Sequence, residues 1–231
     1  RIDYLVLTHA HPDHLGGLVA LARNFRIGEF WEGLPAPREG TYAELLDALP
    51  ARAVRRRCGR GTRLDVGPVS VEVLHPPRAR GSDRPVPAEN ENSLVIRMTM
   101  AGTSFLFMAD TGRETEKALL EAGLDLESAV LKAGHHGSAS STSADLLAAV
   151  KPRLVLVSVG EGNTYGFPSP EVLARCGDAG AAVLRTDLDG AIEIRADGRR
   201  IAVRTGAARR AGENPDSRLT RTTKSMIIGI D

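Results

Sequence analysis

The residues most suited to chemistry lie close to the start of the chain, in Thr8-His9-Ala10-His11-Pro12-Asp13-His14-Leu15-Gly16-Gly17. Three of the six histidines and one aspartate fall within six positions there. Neutral imidazoles together with a carboxylate are ligands that zinc, iron and manganese all accept. His9 and His11 are two residues apart, so in an extended turn they project the same way and could share one ion. Asp13 and His14 then point into adjoining space, where a second ion could sit. Gly16 and Gly17 are expected to leave room for backbone to pack against this loop. Four polar residues meeting by chance at a strand end would be the bland reading, and the concentration of half the histidines argues against it.

Two later stretches carry similar promise. Asp110 follows the apolar run Phe105–Met108. A carboxylate there is either a ligand or a cap for the helix expected near Arg113, and from the residues alone the cap is the better reading. His135 and His136 follow the apolar stretch Ala129–Lys132. Adjacent side chains diverge, so one could ligate while the other faces a substrate, or both could satisfy backbone groups of a turn. No Ser-His-Asp or Cys-His arrangement is evident. Cys58-Gly59-Arg60-Gly61 lacks the Lys and Ser/Thr of a nucleotide-binding loop and reads as a turn.

The elements that must position these groups follow from periodicity. Strands are expected at Ile2–Leu7, Ile27–Trp31, Val69–Leu74, Ser93–Met100, Thr103–Met108, Ala129–Lys132, Leu154–Val159, Ala182–Leu184, Ala191–Ile194 and Ile201–Arg204. Helices are expected at His14–Arg23, Thr41–Leu49 (with Thr41 as cap and Glu44 three residues on), Glu114–Ala122, Ser143–Val150 and Pro170–Cys176. Residues 75–92 read as a loop. Alternating strands and helices with central hairpins predict a layered, mixed α/β domain rather than a doubly wound parallel sheet.

Composition narrows the possibilities further. The chain has 231 residues, 42% hydrophobic and 26% charged, enough for one large core without a disulfide scaffold. The two cysteines, Cys58 and Cys176, share no motif. No apolar run approaches the roughly 20 residues that span a bilayer. Thirty basic residues against 29 acidic ones give +1; residues 195–224 hold nine basic and three acidic, so the rest stands at −5. The body is therefore not a strongly basic nucleic-acid binder. Arg55-Arg56-Arg57 and the basic end could guide a polyanion or be solvated charge runs.

The His9–His14 run resembles the H-x-H-x-D-H signature of the metallo-β-lactamase superfamily. Within it, the chain is similar over about residues 1–204 to the metallohydrolase domain of ComEC-type DNA-uptake channel proteins. That second likeness is carried by Asn92-Ser93-Leu94-Val95, Phe105–Asp110, Leu131–Ser138 (with its His-His-Gly-Ser), Asn163–Leu173 (with Asn-x-Tyr-Gly-x-Pro) and Arg185–Gly190. The resemblance implies an αββα sandwich and two divalent metal ions, zinc or manganese. Their ligands would be His9, His11, Asp13, His14, Asp110 as a bridge, and His136, since relatives place a single His before the Gly. Asp13, His135 and Asn92 would be catalytic, His135 as a supporting or acid group and Asn92 facing the site through a water. A metal-bound hydroxide would attack phosphorus in line, in a nuclease or phosphodiesterase acting on single-stranded DNA or another phosphodiester during competence-linked uptake.

The same likeness implies attachment to a membrane channel on the outer face of a bacterial cytoplasmic membrane. It also sets expectations through its departures. Most relatives carry another His before Asp110, but only His75 lies in that interval, and it reads as a structural or peripheral group; loss of a nitrogen ligand tilts the site weakly toward manganese. Phe167 and Ser169 stand where relatives carry His, which raises the alternative of a catalytically degenerate DNA-binding or assembly module. Aromatic residues, 4% of the chain, are too few for an extended base-stacking platform, so DNA contacts should follow the backbone. The strands that precede the first motif in this fold are missing before Arg1. The expectation is thus an N-terminally truncated domain over 1–204, with apolar surface exposed on its first sheet, and a basic, disordered tail over 205–231.

Overall fold

The computed structural model describes residues 1–34, 36–77, 90–198 and 200–206. The chain begins with β1 (Ile2–Leu7), α1 (Pro12–Asn24), β2 (Ile27–Glu32), α2 (Gly40–Ala48) and β3 (Val54–Arg57). These three strands form a parallel sheet in the order β1-β2-β3. β4 (Arg63–Val66), β5 (Val69–His75) and a 3-10 turn at Asn90–Asn92 follow, then β6 (Val95–Met100), β7 (Thr103–Phe107), α3 (Arg113–Glu121), β8 (Val130–Lys132), α4 (Ala144–Val150), β9 (Leu154–Val157), α5 (Pro170–Asp178) and β10 (Ala182–Arg185). Their strands make a seven-stranded mixed sheet in the order β10-β9-β8-β7-β6-β5-β4. A short helix α6 (Thr186–Asp189) leads into the antiparallel hairpin β11 (Ile192–Ala196) and β12 (Ile201–Thr205).

The side-chain clusters define four layers. Leu15, Leu18, Val19 and Ala22 of α1, with Tyr42 and Leu45 of α2, pack on Leu5, Leu7, Ile27 and Phe30 of the first sheet. Between the sheets, Tyr4, Val6 and Trp31 meet Val71, Val73, Leu94, Ile96 and Met98. Beyond the second sheet, Leu119 of α3, Leu146 and Leu147 of α4, and Val172 and Cys176 of α5 cover Leu106, Leu131, Val155 and Val157. The opposite side of β8–β10, which the three-stranded sheet does not reach, is closed by Ile192, Ile194, Ile201 and Val203 of the terminal hairpin. Each fully buried Leu or Val in these layers contributes about 1.5–3 kcal/mol through removal of apolar surface from water. The arrangement is the expected helix–sheet–sheet–helix sandwich.

Local chemistry explains where the elements begin. Pro12 occupies the first turn of α1, where its missing N–H costs nothing. Ser143 and Ser169 cap α4 and α5 by accepting from Leu146 N and Val172 N. Ala101 and Gly102, both at positive φ, close the β6–β7 hairpin as a two-residue turn.

Several expectations need correction. Thr41 lies inside α2 rather than at its cap; Glu39 precedes the helix, and Glu44 faces outward to Arg23 Nη2 at 2.7 Å. Two strands, β3 and β4, form where none was expected. Arg55 and Arg56 belong to β3, beside β2, whose acids meet them: Arg55 Nε donates to the buried Glu32 at 2.5 Å, Tyr42 Oη donates to the same carboxylate at 2.6 Å, and Arg56 Nε donates to Glu29 at 2.5 Å. The arginine run is thus partly consumed in holding the sheet edge. Gly16 and Gly17 lie exposed within α1, and a Cβ at either would meet nothing within 4 Å, so they serve no close backbone approach. On the first sheet, Val54 is the large apolar side chain left substantially exposed among the described residues. The alternating side chains of β1 are covered on both faces, which is why the expected apolar exposure does not arise. The tail expected at 205–231 lies, from residue 207 on, outside the described residues.

Candidate metal centre

The carboxyl ends of β1, β7 and β8 converge. From the first sheet, β1 ends at Leu7 and the chain turns through His9 and His11 into α1, with His11 as the residue before the helix and Asp13 and His14 in its first turn. The rings of His9 and His11 lie 4.5 Å apart between centroids, and those of His9 and His14 lie 4.3 Å apart. From the second sheet, Asp110 follows β7, while His135 and His136 follow β8.

The two second-sheet loops are held by each other. His135 N donates to Ala109 O at 2.9 Å, and Ser141 Oγ donates to Gly134 O at 2.6 Å. A Cβ on Gly134 would stand 2.6 Å from the Thr111 carbonyl oxygen, so only glycine permits this approach. Ala109, His135 and His136 all take left-handed backbone conformations, with φ of 50°, 45° and 52°. Such a conformation costs roughly 1–2 kcal/mol per non-glycine residue and persists where packing overdetermines it, characteristically at functional sites. Arg175 of α5 fastens the following Ser-rich loop, donating to the carbonyls of Ala139, Ser141 and Thr142 at 3.3, 2.8 and 2.9 Å.

Four side chains from these loops, Asp13, His14, Asp110 and His136, bring one ligand atom each to within 4.8 Å of all the others. His14 Nε2 lies 3.2 Å from Asp110 Oδ1 and 3.6 Å from Asp13 Oδ2. His136 Nε2 lies 3.4 Å from both Asp110 Oδ2 and Asp13 Oδ2. Asp110 is deeply buried, whereas Asp13 is 61% exposed and marks the mouth of the cluster. His9 and His11 adjoin this group through ring contacts with each other and with His14.

The donor atoms suit a cation. His9 Nε2, His14 Nε2, His136 Nε2 and Asp110 Oδ1 are buried without a hydrogen-bond partner. An orphaned buried polar atom costs about 1–3 kcal/mol, which coordination would remove. His136 Nδ1 donates to the Ser158 carbonyl at 2.8 Å, which in the neutral ring leaves the Nε2 lone pair facing the cluster. Thr186 steadies that carbonyl's neighbour, donating to Val159 O and accepting from Val159 N, both at 2.7 Å. Burial, reinforced by His14, pushes His9 down to about 3, so it is neutral at ordinary pH, as ligation requires. Burial alone would raise the Asp110 carboxyl, but the His136 and His14 imidazoles outweigh it and hold the group well below the usual carboxylate range. Asp110 in turn raises His136. Nitrogen and oxygen donors of this kind fit a borderline divalent ion.

The cap reading of Asp110 is overturned. Gly112 is the residue at the start of α3, and Glu91 supplies the acceptor: its Oε1 takes Gly112 N and its Oε2 takes Thr115 N, both at 3.0 Å, with Thr115 Oγ1 at 2.5 Å. Glu91 belongs to the 3-10 turn that also carries Asn90 and Asn92. Asn90 sets its amide nitrogen 3.4 Å from His135 Nε2. Asn92 sits at the end of that turn, half-buried. The sequence pattern favours Asn92 over its neighbours Asn90 and Glu91; an acid a few residues before a β-strand carries no signal for capping a helix more than twenty residues later. His75, expected to be structural, is buried at the end of β5, with its Nδ1 lacking a partner, and is absent from the metal-competent group among the described residues. At the remaining departures, Ser169 is occupied as the α5 cap, and Phe167 meets His135 edge-on at 5.6 Å.

Comparison with known proteins identifies the family and the fold. The sequence pattern of the metallo-β-lactamase superfamily matches residues 1–161. The chain is 31% identical over 202 residues to ComE operon protein 3 of Bacillus subtilis (strain 168), covering 84% of this chain and 25% of that protein. It is 33% identical over 195 residues to competence protein ComA of Neisseria gonorrhoeae, again over 84% of this chain and 25% of that protein. The chain thus spans about a quarter of the length of these relatives, which are ComEC-type proteins. Among solved structures, the metallo-β-lactamase fold protein YhfI of Bacillus subtilis superposes with a TM-score of 0.50 at 11% identity, over 79% of this chain and 73% of that one. CmlA, a diiron β-hydroxylase of Streptomyces venezuelae, gives 0.50 at 16% identity, over 80% and 44%. At such identities the structural likeness speaks for the fold alone.

Proposed function

This chain belongs to the metallo-β-lactamase superfamily, and from that membership and the cluster's geometry we propose that it is a metal-dependent phosphodiesterase acting on single-stranded DNA. The convergence of Asp13, His14, Asp110 and His136, with their buried unpartnered donor atoms, carries this reading. Two divalent ions, zinc or manganese, would be held by His9, His11 and His136 together with His14, Asp13 and a bridging Asp110. When bound, such ions supply a hydroxide nucleophile near neutral pH and a Lewis acid for the phosphoryl oxygens.

The chain's own groups would do the rest. Asp13, at the exposed mouth, would orient the attacking water and accept its proton. Asp110, buried and ionised, fixes His14 and His136 in position. His135, set one ring further out beside Asn90, is the candidate for delivering a proton to the leaving oxygen. Asn92 would orient a water between the 3-10 turn and the cluster. The competence-type relatives support a role in DNA uptake, with the domain joined to a membrane channel on the outer face of the cytoplasmic membrane. In the described part of this chain, no helix is long and apolar enough to cross a membrane. The folded unit would comprise residues 1–204, followed by a basic tail.

The decisive experiment is metal analysis with a cleavage assay on a labelled single strand, for the wild type and Asp110→Ala. Two ions per chain and cleavage that Asp110→Ala abolishes are expected; a protein that holds no metal and cuts no strand would overturn the reading. A second reading, a module that binds DNA without cutting it, is favoured by one observation: Ser169 is engaged as a helix cap and Phe167 packs on His135, where relatives carry imidazoles. Metal-dependent strand binding without cleavage would establish it instead.

A further inference from the structure

A row of rings leads from the cluster to the surface. His135 lies 6.4 Å from His136 between centroids, Phe167 meets His135 edge-on at 5.6 Å, and Tyr165 stacks on Phe167 at 5.7 Å with only 17° between the planes. Tyr165 is 79% exposed, more than any other large apolar or aromatic side chain among the described residues. The backbone beside it is nevertheless held. Asn163 grips the Phe167 backbone on both sides, its Nδ2 donating to Phe167 O at 2.9 Å and its Oδ1 accepting from Phe167 N at 3.0 Å. Gly166, at φ 71°, supplies the left-handed turn between the two rings, which lets them stack on each other.

We propose that Tyr165 and Phe167 form a stacking platform for one unpaired nucleobase of the strand whose phosphodiester is bound at the cluster. The platform rests on the phosphodiesterase reading above and names how that substrate is held. A bare, pre-positioned π face accepts any base, because every base presents one, and stacking is sequence-tolerant. The platform is flanked by the exposed Gly160, Glu161, Gly162 and Thr164 rather than by an apolar patch, which disfavours a protein side chain as its occupant. A single stacked pair is also consistent with an aromatic content too low for an extended surface. The strand would then be gripped at one base and one phosphate, with little sequence preference.

The test compares fluorescence anisotropy of two labelled strands of equal length, phosphorothioate-linked to resist cleavage: oligothymidylate and its abasic counterpart. The metal-loaded wild type should bind the base-containing strand about tenfold tighter or more. Tyr165→Ala should erase that preference, and Tyr165→Trp should restore it. Because Tyr165 is exposed, both variants should melt with the wild type. A wild type indifferent to the bases, or a preference that Tyr165→Ala leaves intact, would overturn the platform. Cleavage of an abasic strand with ordinary phosphodiester links reports on the hydrolase separately. If that strand is cut while no base preference exists, the platform fails and the hydrolase stands. If a Tyr165-dependent preference exists and neither strand is cut, the reverse holds.

Discussion

The two halves of the metal cluster are built differently. The first-sheet half, His9 to His14, is a contiguous run that passes from an extended residue at His11 directly into a helix, with no residue of the turn at positive φ. The second-sheet half is discontinuous: Asp110 and His136 come from two loops that press backbone on backbone, and four of their non-glycine residues, Ala109, His135, His136 and Thr142, are left-handed. One half is specified by neighbours in sequence, the other by packing from afar. The first should therefore tolerate changes in its backbone, and the second should not, although each supplies two of the four side chains that converge.

The sharpest break is Asp110→Ala. Removing the buried carboxylate that lies against both His14 and His136 should cost more than the 10–100-fold typical of supporting residues, in metal affinity and in hydrolysis alike. Asp13→Ala, at the exposed mouth, should lower hydrolysis strongly yet leave more metal bound; isothermal titration with manganese on both variants would compare the halves directly. Equal loss of metal in the two would remove the distinction.

Acid sensitivity offers the next probe, through a group outside the cluster. Burial, with Arg60 nearby, lowers His75 from its ordinary value of 6.5 to about 4. The folded state thus prefers the neutral ring. The stability this gives is fully present above pH 6.5 and is lost as pH falls toward 4, by about 3 kcal/mol for a shift of this order. Thermal melts of the metal-free protein between pH 7 and 4 should show this loss together with that from His9, and His75→Gln should reduce the slope without abolishing it. An unchanged slope in that variant would assign the acid sensitivity to the histidines of the cluster.

Two glycines complete the contrast with smaller effects. Gly137, at φ 81° and so placed that a Cβ would stand only 2.6 Å from Pro168 Cβ, should not accept alanine: a loss of about 2 kcal/mol is expected in chemical denaturation. Gly17, inside α1 with open space around it, should accept alanine with a gain of about 0.5–1 kcal/mol. A destabilising Gly17→Ala would show that the first half is more constrained than its backbone suggests.

The same asymmetry governs what the sequence makes legible. His9, His11, Asp13 and His14 announce themselves because their spacing is local. Asp110 and His136 are ambiguous one at a time; periodicity places each at a strand end, but family resemblance is needed to join them. The capping role of Glu91 is invisible, since its partners at Gly112 and Thr115 are brought near only by the fold. Most strand positions follow from apolar periodicity, as at Ile27–Glu32 and Leu154–Val157, whereas their order in the two sheets is set by pairing that no local pattern shows. β3 escapes because its Val-Arg-Arg-Arg sequence carries no apolar alternation; ladder hydrogen bonds and the acids of β2 hold it instead.

The Arg175 fastening has a consequence for how the protein withstands its surroundings. Ser138-Ala139-Ser140-Ser141-Thr142-Ser143 has the small, polar character of a linker, the kind of stretch where proteases nick folded chains. One guanidinium spanning three of its carbonyls denies a protease the extended conformation that cleavage demands. Lysine, a point charge without that planar fork, would not substitute, and limited digestion of Arg175→Lys should open the chain just beyond the paired histidines.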